Sequence, residues 1–213
     1  GQEITISETT DYPFNGGVSL RISTPEPVKF PLYLRVPGWA ESVIFNFHGK
    51  TITGKAGETV KIHAKWEDGD EISFTIPMNL RYEERYNNST SVLRGPLYFS
   101  LRIEKEYKNV KINYDNYGYK GSVDWEILPL SSWNYGLMID KTNPGRGIEI
   151  DVNPPGKYPF ADKGDMVWCA DSAKYVAWDK DAAVIITTRG MKIPEWTLKD
   201  NSADVPPSSP VVP

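Results

Sequence analysis

The segment FPLYLRVPGWAESVIFNFHGK, which spans residues 30–50, alternates apolar and polar side chains on both sides of a Pro-Gly turn. Alternation with a period of two places Leu32, Leu34 and Val36 on one face of a strand. A Gly-Lys pair at 49–50 then ends a second alternating run, as the tip of a hairpin does. The segment therefore predicts antiparallel strands that pack one face on a core.

The same alternation recurs along the first half of the chain, with turn residues such as Asn-Gly-Gly and Asp-Gly-Asp between the runs. The predicted inward sets are Ile4 and Ile6; Val18, Leu20 and Ile22; Val43, Phe45 and Phe47; Val60, Ile62, Ala64 and Trp66; and Ile72, Phe74 and Ile76. Strands that recur about every ten residues are typical of an antiparallel sandwich.

Apolar residues at helical spacing are almost absent, so the predicted fold class is all-β: an antiparallel β-sandwich followed by a second, smaller β module. The predicted sandwich covers residues 1–103, and the second module covers 104–200. A Pro- and Ser-rich extended tail covers 201–213. Within the sandwich, Ser91–Ile103 is predicted as one long strand, interrupted by a bulge or an edge because Pro96 cannot donate to a ladder.

The composition excludes several partners. A formal net charge of −4 gives no electrostatic footprint for nucleic acid, and no apolar run is long enough to span a membrane. No signal peptide opens the chain. The pair Gly1-Gln2 resembles a cloning remnant, so we expect a fragment of a longer protein whose leader lay upstream.

No metal or cofactor site is expected. His48 and His63 are the two histidines, and Cys169 is the single cysteine, so the spacings of a zinc site are missing. His48 is expected to be solvated at a turn tip, and Cys169 to be a small buried hydrophobe.

The carboxylates leave one alternative open. A glycosidase needs two carboxyl groups about 5–10 Å apart across a sugar, and sequence alone does not show such a pair. Acidic residues beside glycine are more often turn formers. The candidates for a self-contained carboxylate glycosidase are Glu67, Asp68, Asp70, Glu83, Glu84, Asp162 and Asp165.

Aromatic residues give a second alternative, a carbohydrate-binding module whose loop rings stack on sugars. The candidate residues are Tyr107, Tyr114, Tyr117, Tyr119 and Trp133. The simpler interpretation is that such rings anchor β cores with one polar tip in water, and for Trp66 we expect a core position.

Five short motifs, taken together, resemble a known family. They are YPFNG at 12–16, LRVPGW at 34–39, WEDGD at 66–70, IPM at 76–78 and RGPL at 94–97. In order and spacing they resemble the region after the catalytic barrel of glycoside hydrolase family 127, the β-L-arabinofuranosidase-like proteins, which are abundant in gut Bacteroidetes. The motif residues with expected structural roles are Trp39, Trp66, Gly69, Asp70, Arg94, Gly95 and Pro96. The resemblance continues more loosely beyond residue 103.

The resemblance implies a non-catalytic accessory region. In the family an (α/α)6 barrel holds a zinc-bound cysteine cluster with a glutamate, and this chain has one cysteine, so no catalytic residue is carried over. The implied partner is a catalytic barrel of the same parent chain that acts on arabinose-containing glycans. A secreted or periplasmic location is implied as well. One departure is His48, where the family usually has Asn at the hairpin tip.

Overall fold

The computed structural model describes residues 2–110, 124–200 and 202–207. Strands dominate these residues, and the one helical element among them is the 3-10 turn Tyr86–Asn88. None of their helices is long and apolar enough to cross a bilayer. The strands are β1 Thr5–Thr10, β2 Gly17–Ser23, β3 Val28–Arg35, β4 Ser42–Phe47, β5 Lys50–Lys55, β6 Thr59–Trp66, β7 Glu71–Thr75, β8 Leu80–Glu84, β9 Thr90–Arg94, β10 Leu97–Phe99, β11 Lys105–Val110, β12 Asp124–Pro129, β13 Tyr135–Leu137, β14 Glu149–Val152, β15 Met166–Cys169, β16 Lys174–Ala177, β17 Val184–Thr187, β18 Gly190–Lys192, β19 Leu198–Lys199 and β20 Ser202–Ala203.

The chain forms two compact units. Unit 1 comprises residues 1–83 and 91–99, and unit 2 comprises residues 84–90 and 100–213. Both consist of antiparallel sheets, so the predicted all-β fold class is confirmed. The predicted domain boundaries after residues 103 and 200 stay predictions.

Unit 1 contains a five-stranded sheet in the order β1-β2-β7-β4-β5 and the separate pair β3-β6. One continuous cluster of buried side chains draws residues from both, for example Ile22 of β2 and Ile62 of β6, each fully buried. Two sheets that share one core by their inner faces form a sandwich.

The predicted inward sets hold along this sandwich. The inward residues of β2, β4, β6 and β7 are buried or half-buried in the shared core. Ile6 is an exception: β1 is an edge strand, and the Ile6 side chain is 43% exposed although Ile4 packs on the core. An edge strand has a neighbouring strand on one side only, so its apolar side chains have fewer groups to pack against.

The predicted long strand Ser91–Ile103 is wrong. It is a hairpin in which β9 pairs with β10, with Leu97 opposite Arg94 and Phe99 opposite Val92. Gly95 and Pro96 form its two-residue turn, and Gly95 has φ +55°. A positive φ at the first turn position is what a glycine-led type II′ hairpin turn requires, and Pro at the second position needs no ladder donor.

Unit 2 consists, in its described residues, of two-stranded ladders: β11-β12, β13-β18, β14-β17, β15-β16 and β19-β20. Few of its apolar side chains are fully enclosed; Ala183 and Val184 are the buried hydrophobic residues described there. Ile150 and Val152 of β14 are 39% and 46% exposed. Unit 2 therefore lacks the single deep core of unit 1 among its described residues.

Candidate functional site

The motif tryptophans of unit 1 have structural positions. Trp66 is fully buried, donates its indole N–H to the carbonyl of Phe30 at 3.1 Å, and packs against the Phe47 ring. Trp39 is half-buried against the core, and a Cβ on Gly95 would lie 3.4 Å from its ring. Trp66 thus fills the core, and Trp39 packs against it.

The Gly69-Asp70 turn contacts both β2 and the β4–β5 hairpin. The Gly69 N–H donates to the carbonyl of Ile22 at 2.9 Å, and an Asp70 carboxylate oxygen lies 2.7 Å from His48 Nε2. Burial alone would raise the pKa of Asp70, but the Glu67 backbone N–H and His48 hold it below its usual value. The expectation of a solvated His48 at a turn tip is confirmed, because the residue is exposed; its ring also contacts the Asp70 carboxylate.

His48 and Gly49 form the two-residue turn of this hairpin, with φ of +45° and +68°. Positive φ at both central positions is the type I′ requirement. Asn adopts this conformation more readily than His. In this chain the His48 ring is held in place from two sides, by Asp70 and by Trp66, whose ring centroid is 5.3 Å away.

The RGPL motif connects the β9–β10 hairpin to the beginning of the chain. Arg94 Nη1 donates to the carbonyl of Phe14 at 3.0 Å, and burial lowers the pKa of the guanidinium, which stays charged because an arginine side chain is not deprotonated in proteins. Arg81 donates to the carbonyl of Gly95. The motif residues Arg94, Gly95 and Pro96 therefore organise a turn and contain no reactive group.

The predicted sugar-binding aromatics are only partly described. Tyr114, Tyr117 and Tyr119 lie outside the described residues. Tyr107 lies on β11, donates its hydroxyl to Asp165 Oδ1 at 3.1 Å, and meets the Trp125 ring edge-to-face at 5.7 Å. These contacts anchor Tyr107 within unit 2.

Trp133 and Tyr107 contact different residues. Its ring packs edge-to-face on Trp196 at 5.1 Å between centroids. Trp196 in turn donates its indole N–H to the carbonyl of Asp204 at 2.6 Å, and Asn134 donates to the carbonyls of Ile193 and Trp196. Trp133 thus packs on Trp196, which is itself hydrogen-bonded to the carbonyl of Asp204.

A network of charged side chains lies in the described part of unit 2. Arg102 donates to both carboxylate oxygens of Asp162, and it also donates to Asp181 at 2.5 Å. The Arg102 guanidinium holds the pKa of Asp162 below its usual value, against the opposing effect of burial. Arg102 is itself half-exposed, so water screens these ion pairs.

Asp165 is the second acid of this network. Burial would raise the pKa of Asp165, but the Asp162 backbone N–H, Lys105 and the Tyr107 hydroxyl together hold it down. The predicted pair Asp162 and Asp165 is therefore brought together by a turn in which both carboxylates are engaged by cations and N–H donors.

Beside this network lies a groove of about 450 Å³. Trp178 lines it, and Gly156 allows the backbone to approach that ring, because a Cβ there would lie 3.3 Å from the indole. Tyr158 meets the Trp178 ring edge-to-face at 5.1 Å, and Lys180 Nζ lies 5.8 Å from its centroid. The other lining residues are Asn153, Pro154, Pro159, Lys163, Asp179, Asp181 and Ala183.

Sequence reasoning missed this groove. The backbone N–H of Trp178 donates to the carbonyl of Asp165 at 2.7 Å, and its carbonyl accepts from the N–H of Gly164 at 2.8 Å. The side of the groove that carries Trp178 is therefore held by a turn that is distant in sequence. The local signal is a tryptophan followed by alternating charges, WDKD at 178–181. An indole beside amide and charged groups is a surface on which a sugar ring can stack and hydrogen-bond.

The chemistry of a glycosidase is not favoured by the electrostatics. A general acid needs a carboxyl group with a raised pKa. The described carboxyl groups with a shifted pKa are all lowered: Asp70, Glu84, Asp140, Asp162, Asp165 and Asp171. Cys169 is half-buried at the end of β15, less enclosed than expected, and the Ser172 hydroxyl lowers its pKa. Over the described ranges, no group of three or more His, Cys, Asp or Glu side chains could hold a metal ion.

One family model matches the N-terminal part of the chain. The family model described as the GH127 middle domain of β-L-arabinofuranosidase matches residues 1–78, which confirms over that range the resemblance found in the sequence. No curated protein matches the chain.

Solved structures that are similar to part of this chain include two glycoside hydrolases. One is a glycoside hydrolase, with a TM-score of 0.41 and 20% identity over 57% of this chain and 24% of that one. The other is a GH127 β-L-arabinofuranosidase from Geobacillus stearothermophilus T6, with a TM-score of 0.41 and 19% identity over 61% of this chain and 27% of that one. The aligned region thus spans about a quarter of each of these proteins.

Proposed function

Since residues 1–78 are similar to the GH127 middle domain, we propose that this chain is a non-catalytic accessory region of a family 127-like glycoside hydrolase. It packs on an (α/α)6 catalytic barrel of the same parent chain and stabilises it. The parent enzyme acts on arabinose-containing glycans. The match to a domain described as a middle domain is the observation that carries the proposal, because such a domain has neighbours in the parent protein.

Separate expression of the two parts tests this role. The barrel of the parent enzyme, produced without these residues, is expected to melt at a lower temperature, and adding this chain is expected to restore the melting temperature. The chain alone is expected to release no arabinose from arabino-oligosaccharides. Arabinose release by the chain alone, or a barrel whose stability is the same with and without it, would contradict the proposal.

A carbohydrate-binding module is the second candidate, and the groove beside Trp178 favours it. Titration with arabino-oligosaccharides, followed by Trp fluorescence, should give saturable quenching that Trp178→Phe weakens several-fold. Trp168→Phe is the matched control, because Trp168 is 49% exposed and does not line the groove. A flat titration, or equal loss in both variants, would leave only the scaffold role.

We propose a secreted or periplasmic location for the parent protein, since polymeric glycans are met outside the cytoplasm. Immunodetection in fractions of the source cells tests it, with a cytoplasmic enzyme as the marker. Recovery of the parent protein with that marker would contradict the location and leave the accessory role open.

A further inference from the structure

The outer face of the β3–β6 pair has an unusual composition. On a strand every second side chain points away from the core, and the pattern is regular in both strands. The exposed positions are Lys29, Pro31, Tyr33 and Arg35 on β3, and Thr59, Lys61, His63 and Lys65 on β6. We call these eight residues the basic face.

The basic face presents cations and no carboxylate, although the whole chain has a formal net charge of −4. The acids nearest to β6 in sequence, Glu58 and Glu67, lie beyond its two ends. Glu58 accepts a hydrogen bond from the backbone N–H of Lys55 at 2.8 Å. Within the described part of the chain, none of the four cations of the face takes part in an ion pair.

The cations are placed against each other. Lys29 lies directly opposite Lys65, and Lys61 lies opposite Tyr33. Like charges at directly opposed positions destabilise an antiparallel strand pair. The stability of the fold therefore does not explain why Lys29 and Lys65 are opposed. Lys61 Nζ lies 5.8 Å from the Tyr33 ring centroid, and Tyr33 is 58% exposed in the middle of β3.

We propose that the basic face binds a linear anionic glycan. The ammonium and guanidinium groups meet carboxylates or sulfates spaced along the glycan, and Tyr33 offers a flat ring to one sugar. Two paired strands of eight residues give an extended surface of about 27 Å, which suits a chain better than a compact ligand.

Charge and composition favour this ligand over macromolecules of other kinds. Protein interfaces have an apolar core and are depleted in lysine, whereas here three of the outward positions are lysines and none is aliphatic apart from Pro31. Single-stranded nucleic acids are typically held by several stacked rings, whereas the face has one aromatic ring, Tyr33, besides the imidazole of His63. This binding goes beyond the accessory role proposed above and uses a different unit from the Trp178 groove.

The test is isothermal titration of the whole 213-residue chain at low ionic strength with three probes: an oligogalacturonate, its carboxyl-reduced neutral counterpart, and a heparin oligosaccharide. Saturable binding of an anionic probe, without binding of the neutral one, is expected. Binding of both anionic probes identifies charge as the shared requirement, and binding of one alone identifies uronate or sulfate. Affinity should fall as salt is added.

Paired variants locate the surface. Lys29→Gln with Lys65→Gln should weaken binding about tenfold, since each exposed charge contact contributes modestly. Lys50→Gln with Lys55→Gln removes two exposed lysines from β5 in the other sheet and should leave the affinity unchanged. Circular dichroism verifies that all variants are folded. Absence of binding, equal loss in both pairs, or tighter binding of a DNA oligonucleotide would overturn the proposal.

Discussion

In unit 1, one cluster of buried side chains joins two sheets, whereas in unit 2 the described two-stranded ladders are connected by ion pairs and edge-to-face aromatic contacts. Apolar burial stabilises by roughly 25 cal/mol per Å² and is cooperative across a core, while exposed ion pairs contribute about 0–1 kcal/mol each. Single substitutions in the core of unit 1 should therefore change the free energy of unfolding strongly. Single substitutions in unit 2 should each change it less and in a way that depends on pH.

The largest effect is expected from truncating the core of unit 1. Phe45 is 1% exposed and its ring lies 4.9 Å from that of Phe74, so Phe45→Ala should lower the free energy of unfolding by about 3–5 kcal/mol. Its neighbour Ile44 is 52% exposed, and Ile44→Ala should change the free energy by less than about 0.5 kcal/mol. Amide hydrogen exchange resolves the two units by peptide. Equal effects of the two variants would remove the distinction between the faces of β4.

An intermediate effect is expected where two strands approach closely. A Cβ on Gly54 of β5 would lie 2.4 Å from Val60 Cγ2 and 2.7 Å from Val36 Cγ2. Gly54→Ala should therefore cost about 1–3 kcal/mol through overpacking, measured by urea denaturation.

Gly38 is the control for this substitution, because a Cβ there meets nothing within 4 Å. Gly38→Ala should be close to neutral. A Gly54→Ala variant as stable as Gly38→Ala would mean that the sandwich is less tightly packed than its burial indicates.

Alternation predicted most of unit 1 because the relevant information is local. The alternation of Val18, Leu20 and Ile22 identifies the buried face of β2 within five residues of sequence. The core then forms where the apolar faces of such strands pack together. The β9–β10 hairpin was missed because Gly95-Pro96 is compatible with a bulge, an edge or a turn. Whether Gly95-Pro96 forms a turn depends on the pairing of Leu97 with Arg94, and the alternation of side chains does not reveal this pairing.

The candidate site in unit 2 was less predictable for the same reason. Arg102 lies 60 residues from Asp162, and ion pairs at that separation leave no periodic trace in sequence. The groove depends on Gly156 and Trp178 meeting across a fold whose strands are only four residues long on average in this region. Short strands of this kind carry too few residues for alternation to specify which face is inward.

A smaller effect, dependent on pH, is expected in the Arg102 network. The folded pKa values of Asp162 and Asp165 lie below the ordinary 3.8, so the folded state binds these protons more weakly than the unfolded state. Their contribution to stability is complete above the unfolded pKa. It is lost as the pH falls through the lower folded values.

Asp162→Asn tests this prediction. It should lower the free energy of unfolding at pH 7 by about 1 kcal/mol and flatten its dependence on pH below about 4, since the ion pair with Arg102 is partly screened. Asp179→Asn is the control, because Asp179 is exposed and has no ion pair among the described residues. An acid titration of Asp162→Asn that follows the unmodified chain would contradict this account of unit 2.

The smallest effect is expected at the contact between His48 and Asp70 in unit 1. His48→Asn gains tolerance of positive φ but loses the contact with Asp70 at 2.7 Å, so the net change should be under about 1 kcal/mol. A double-mutant cycle with Asp70→Asn isolates the contact, because Asn keeps an oxygen that can accept from the Glu67 N–H. A coupling energy below about 1 kcal/mol would show that even here the core, and not charge, stabilises unit 1. A coupling as large as the loss in Phe45→Ala would mean that both units depend on contacts between polar side chains.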